Sequence, residues 1–199
     1  MHGASDFTLL CPSGYFIALR IGFAFPLVEH NLLPKDWVNH YTSENYMIAD
    51  PVMRWLYSNS GHIRWSDIRL PDPRGVIEAA KRFGLRYGVA ISLHDPGTEG
   101  QRSFGNFTRA DREFTDTEIS QLSARLWRLH VSLAPPTNLT EAELEALKMI
   151  KDGLLIKEIA ARLGVSEGAV KQRIKSAKIK LRAKTSSQAV SAATGYGLI

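Results

Sequence analysis

The sequence predicts an α/β sandwich, a central antiparallel sheet flanked by helices, followed by a separate all-α domain of four helices. Three observations carry this. Strand-like and helix-like segments alternate up to about residue 134, only helical patterns follow, and Pro135-Pro136-Thr137-Asn138 breaks the chain between them. The expected organisation is therefore a first domain over 1–134, a linker over 135–138 and a second domain over 139–199.

In the first part, Tyr15 to Phe25 and Tyr87 to Leu93 are rich in β-branched and aromatic residues, and Arg102 to Thr108 is a shorter strand candidate. The turn-forming run Asp95-Pro96-Gly97-Thr98-Glu99-Gly100 between the last two predicts a β-hairpin. Lys35 to His40, Pro51 to Ser58 and Gly75 to Phe83 read as helices. A longer helix begins near Thr115, where Ile119, Leu122, Leu126 and Leu129 recur at helical spacing and Trp127 and Val131 widen the stripe.

Past the prolines, Thr140 and Glu143 form a capping box for a helix that ends at Gly153. Leu155 to Leu163 gives a second helix closed by Gly164, Ser166 caps a third that runs to about Leu181, and Ser187 to Tyr196 gives a fourth.

Charge divides at the same place. Residues 1–137 hold 14 Lys and Arg against 14 Asp and Glu, whereas the rest hold 11 against 6, so the net +5 of the chain lies in its last third. Clustered positive charge attracts the phosphate backbone of a nucleic acid. The single cysteine, Cys11, excludes an intrachain disulfide, and no signal peptide is evident, which points to the cytoplasm. The apolar run from Tyr15 to Val28 carries Arg20 and Pro26 and is too short for a membrane span. Cys11, the six histidines and the carboxylates form no recognised catalytic constellation, and no cofactor is expected, so an enzyme is disfavoured.

The second and third helices of the last domain, joined by Gly164-Val165-Ser166, have the layout of a helix-turn-helix. Val170, Ile174, Ala177 and Leu181 make the buried stripe of the longer helix, and Lys171, Lys175, Lys178 and Arg182 follow it one position on. Such a cationic ridge fits the major groove of double-stranded DNA, with Ser166 and Gln172 beside it in the expected contact set. The runs Leu139 to Leu147, Gly153 to Leu163 and Val165 to Lys171 resemble the C-terminal domain of LuxR-type regulators. That resemblance implies that Lys171 and Lys175 contact bases and that Lys178 lies nearer the backbone. Ala169 and Arg173 depart from the family, which commonly has Thr and His there.

The first domain offers no set of acids and lysine suited to a phosphorylated receiver. Trp37 precedes Tyr41 by four residues and Asp50 by thirteen, and Trp65 follows Asp50 by fifteen. This pattern, with Gly84 to Val89 and Gly105-Asn106-Phe107-Thr108, resembles the autoinducer-binding domain of quorum-sensing LuxR proteins. The implied ligand is an N-acyl homoserine lactone, with two carbonyls, one amide N–H and an apolar tail. Trp37 can donate to the ring carbonyl and Asp50 can accept from the amide, while Tyr41, Tyr46 and Trp65 furnish aromatic wall and Thr108 a hydroxyl near the amide carbonyl. Leu33 and Val52 stand where some relatives place a ligand-contacting Tyr and a hydroxyl-bearing residue. The competing reading is a ligand-independent regulator or anti-activator that pairs with another regulator. A homodimer is expected, through the helix at 115–133 and through Ala189, Val190 and Ala193 of the last helix.

Overall fold

The computed structural model describes residues 7–21, 25–95 and 101–199. The chain divides into two compact units, the first chiefly from residues up to Leu133 and the second chiefly from Ala134 onward.

The first unit is a five-stranded antiparallel sheet of order β2-β1-β5-β4-β3. Its strands are β1 (Gly14–Ile21), β2 (Pro26–Asn31), β3 (Gly61–Arg64), β4 (Tyr87–His94) and β5 (Arg102–Arg109). The expected strand from Tyr15 to Phe25 is thus replaced by β1, which ends at Ile21, and a separate β2 that pairs back against it. β2 is an edge strand, where Pro26 at its start removes no ladder bond that matters. β3 is only four residues long and carries no alternation to betray it. Of the expected hairpin, β4 and β5 pair as read, and Pro96 to Gly100 of its turn lie outside the described residues.

Side chains alternate across a strand, so each face of the sheet gathers its own core. Tyr15, Ile17 and Leu19 of β1 and Phe107 of β5 join Ile119, Leu122 and Leu126 of α4 (Asp116–Ser132). Ala18 and Phe104 face the other way, toward a cluster that holds Trp37, Leu56 and Val76 from α1 (Lys35–Ser43), α2 (Pro51–Ser58) and α3 (Val76–Lys81). The sheet lies between α4 and the three shorter helices. Trp127 and Val131, expected in the buried stripe of α4, are instead 51% and 49% exposed, because they fall on the flank of the helix away from the sheet.

Local chemistry sets the helix starts. Thr115 and Glu118 form a capping box for α4, Asp50 caps α2 with Pro51 at its first position, and both carboxylate oxygens of Asp72 accept from the first N–H groups of α3.

A polar cluster joins the ends of three strands to the last turn of α4. The backbone N–H of Arg20 donates to Ser103 Oγ over 2.8 Å, and Ser103 Oγ lies 2.7 Å from His130 Nδ1. His130 Nε2 lies 2.9 Å from Asp95, and the Arg20 guanidinium bonds Asp95 and the His130 carbonyl. An ionised Asp95 can only accept, so the neutral imidazole carries its proton on Nε2 and Ser103 donates to Nδ1. Burial pushes the His130 pKa down, against the pull of Asp95. Burial raises Asp95, but its bond to His130 and the charge of Arg20 outweigh that and hold it below the usual carboxylate range.

The second unit contains α5 (Glu141–Lys151), α6 (Ile156–Leu163), α7 (Glu167–Lys180) and α8 (Ser186–Gly195). Gly164 takes a left-handed backbone at φ 64° and turns the chain from α6 into α7, which Ser166 caps by accepting from Ala169 N. Glu143 closes the capping box of α5 and also receives Ser176 and Lys180 of α7, so one buried carboxylate starts one helix and anchors another. Ala189 and Ala193, expected to face a second copy, are wholly buried in a cluster with Leu147, Ala177 and Leu181 of the same unit. Among the described residues no helix is long and apolar enough to cross a membrane, and no group of three or more His, Cys, Asp or Glu is placed to hold a metal.

The folded-state pKa values of His130 and Asp95 both lie below their ordinary values of 6.5 and 3.8. Their stabilisation is therefore complete above those values and is lost as pH falls, His130 first. The urea midpoint of the wild type should drop between pH 7.5 and 5.5, whereas His130→Gln should start lower and stay nearly flat. Equal slopes for the two proteins would contradict this account.

Candidate functional site

A cavity of about 190 Å³ lies on the sheet face covered by α1, α2 and α3. Trp37, Tyr41, Asp50, Trp65 and Thr108 all line it, though they come from α1, the head of α2, the turn after β3, and β5. Trp37 and Tyr41 reach it together because a four-residue step returns to the same helix face. Most of the remaining wall is apolar, and Leu33 and Val52 are part of it.

Asp50 is the one formally charged side chain in the lining. It is 5% exposed, and its two oxygens accept from Val52 N and from the Tyr41 hydroxyl, each over 2.8 Å. Burial pushes its pKa up, while the bonds from Tyr41 and from the backbone N–H groups of Val52 and Met53 oppose the rise. Tyr41 is itself pushed well above the usual phenol range, first by burial and then by the neighbouring Asp50 charge. The phenol therefore keeps its proton and donates it. With three donors already on it, the Asp50 carboxylate retains lone-pair capacity for one more.

Trp37 packs edge-on to Tyr41 at 5.4 Å and against Tyr46 and Phe83 at 6.1 and 5.5 Å, which leaves its ring little freedom. Its indole N–H has no hydrogen-bond partner among the described residues. Trp65 lies over Gly88, where a Cβ would come within 2.2 Å of the indole, and it donates to Asn106 Oδ1 over 2.9 Å.

Two expectations change. Tyr46, assigned to the aromatic wall, stands behind it instead, packed on Trp37, His40 and Tyr41 with the Arg74 guanidinium over its ring. The Thr108 hydroxyl, assigned to a ligand carbonyl, donates to Gly14 O across the sheet over 2.7 Å, so only its oxygen remains available. Asn31, Thr42 and Asn106 are polar lining residues that sequence reasoning missed, and of the two amides Asn106 is the less exposed. It stands two positions before Thr108 on one strand, and a period of two puts both on the same face.

In the second unit, Lys171, Gln172 and Lys175 are exposed along α7, and Lys178 is half-buried. Ser166 is occupied as the helix cap, and Lys171 makes a loose i,i+4 pair with Glu167 at 3.7 Å. Arg182 does not continue the ridge, since it follows the end of α7 with a left-handed backbone at φ 53°. Ile179, also missed, is 69% exposed four residues beyond Lys175, and its spacing from Gln172 and Lys175 was the available signal. The face that α7 presents is thus three lysines, a glutamine and one apolar side chain, a set able to meet phosphates and base edges.

A family model described as "Autoinducer binding domain" matches residues 26–134, and one described as "Bacterial regulatory proteins, luxR family" matches residues 137–193. The chain is 30% identical over 177 residues to the regulatory protein SdiA of Escherichia coli (strain K12), covering 83% of this chain and 74% of that protein. It is 27% identical over 197 residues to the HTH-type quorum-sensing regulator RhlR of Pseudomonas aeruginosa, covering 93% and 82%. A crystal structure of E. coli SdiA superposes with a TM-score of 0.51 at 26% identity, over 94% of this chain and 83% of that one. These relatives are transcription regulators and not enzymes. The chain belongs to the LuxR family of quorum-sensing transcription regulators, with an autoinducer-binding domain for a small-molecule signal followed by a DNA-binding helix-turn-helix.

Proposed function

We propose that the signal is an N-acyl homoserine lactone and that the protein acts on operator DNA as a cytoplasmic homodimer. In this reading residues 1–134 hold the signal, 135–138 link, and 139–199 read DNA. The carrying observation is the pairing, in one largely apolar cavity, of an indole N–H on Trp37 that has no partner among the described residues with the buried Asp50 carboxylate. The ring carbonyl takes the donor, the amide N–H takes the acceptor, and Tyr41 and Trp65 enclose the head group. Cys11, buried and pushed up to about 12 by desolvation, stays a thiol.

Asp50 caps α2, so Asp50→Asn is the informative change: it keeps a capping oxygen and removes the charge. Hydrogen bonds to charged groups contribute about 1.5–3 kcal/mol, so calorimetric affinity for N-octanoyl homoserine lactone should fall roughly ten- to a hundredfold. Trp37→Phe should cost less, about three- to tenfold, because a neutral bond is lost. Absence of heat and of thermal stabilisation with a panel of acyl, aryl and oxo-substituted lactones would leave the ligand-independent regulator as the reading.

On α7, Lys171 and Lys175 are assigned to bases and Lys178 to the backbone, with Ser166, Gln172 and Arg182 at the margins. With an operator selected from random duplexes by the wild type, Lys171→Ala, Lys175→Ala should lose about tenfold or more in specific over non-specific binding. Binding itself should weaken with rising salt. A competition gel-shift in which the double variant keeps full discrimination is incompatible with this assignment.

The dimer contact is assigned to the outer flank of α4, where Trp127 and Val131 are half exposed. Burial of Ala189 and Ala193 removes those two residues from the contact on α8. Sedimentation at micromolar concentration should show a dimer for the wild type and a monomer for Trp127→Glu, Val131→Glu. A wild type that stays monomeric with and without operator DNA refutes the assignment.

A further inference from the structure

An acyl homoserine lactone carries a second carbonyl, that of its amide, for which Trp37 and Asp50 leave no donor. The hydroxyls of the wall cannot supply one without breaking a bond they already make. Tyr41 donates to Asp50, Thr42 to Val38 O and Thr108 to Gly14 O. The Trp65 indole N–H is spent on Asn106. Two amides remain in the lining, Asn31 and Asn106. Asn31 is exposed, and its oxygen accepts from Leu33 N. Water already solvates it.

Asn106 is different on each count. It is half-buried on β5, in register between Phe16 of β1 and Ala90 of β4. An indole nitrogen can only donate, so the atom that meets Trp65 must be the Asn106 oxygen, and both amide hydrogens are left over. No residue takes them among those described. The orientation is held in turn by Trp65, which Gly88 allows to lie flat against the sheet. A donor fixed before the ligand arrives loses little entropy when it binds.

We infer that Asn106, oriented by Trp65, donates the hydrogen bond that reads the acyl carbonyl of the signal, and so selects carboxamides among acylated lactones. This rests on the lactone reading proposed above. The test compares N-octanoyl homoserine lactone with its thioamide, which keeps the N–H but presents a weak sulfur acceptor. Wild type should prefer the amide by roughly three- to tenfold, as expected for one neutral hydrogen bond. Asn106→Asp keeps an acceptor for Trp65 without the amide hydrogens, and Asn106→Leu keeps the approximate volume. In whichever of these retains a wild-type unfolding transition, affinity for the amide should fall and the preference over the thioamide should vanish. Wild-type affinity and preference in the variants would overturn this inference alone. A wild type that takes up neither compound would overturn the lactone reading and the inference with it.

Discussion

The constraint on which the first unit depends is the two-residue period of β5, set between two cores. Phe107 points toward α4, while Phe104, Asn106 and Thr108 point toward the shorter helices. A slip of one residue would carry Phe107 into the cavity and Asn106 under α4, so register and function cannot be varied separately. Gly105 belongs to the same constraint: a Cβ there would come within 2.4 Å of the Phe107 ring in the α4 core. The sheet is therefore a partition, with a packed core on one side and a lined cavity on the other.

Buried polar groups in this unit divide into those that are satisfied and those that are held in reserve. Arg20, Ser103, His130 and Asp95 use one another, and their arrangement fixes even the imidazole tautomer. Around the cavity the hydroxyl protons of Tyr41, Thr42 and Thr108 are likewise committed. Among the described residues, what stays open toward the cavity is the Trp37 indole N–H, the remaining lone pair of the Asp50 carboxylate and the amide hydrogens of Asn106. An unpaired polar group is costly in a packed core but useful where a ligand will meet it.

Features written by near neighbours in the chain were legible in the sequence. The Thr140–Glu143 box, the Ser166 cap and the Gly164 turn each depend on residues within four positions. Trp37, Tyr41 and Asp50 were named through the family resemblance, and the fold brings all three to the wall of one cavity. The bond from Trp65 to Asn106 spans 41 positions and that from Thr108 to Gly14 spans 94, and no local pattern records either. Tyr46 misled because an aromatic near a pocket motif has the same composition whether it forms the wall or backs it. The small residues of α8 misled similarly: alanines allow close approach, but sequence does not say whether the approaching surface is Leu147 of the same unit or another molecule.

Gly88 carries a consequence for how this cavity can change. With the indole lying where its side chain would be, Gly88 admits no substitution that leaves Trp65 in place, and Asn106 is oriented only while Trp65 stays. Leu33, Val38 and Met47 line the same cavity with no side-chain hydrogen bonds to preserve, and Met47 is 57% exposed. One end of the cavity is thus frozen by mutual dependence and the rim is free to drift. Lineages that diverge in the signal they answer would accumulate replacements at the rim, and a laboratory search for altered response has its productive positions there, not beside the tryptophan.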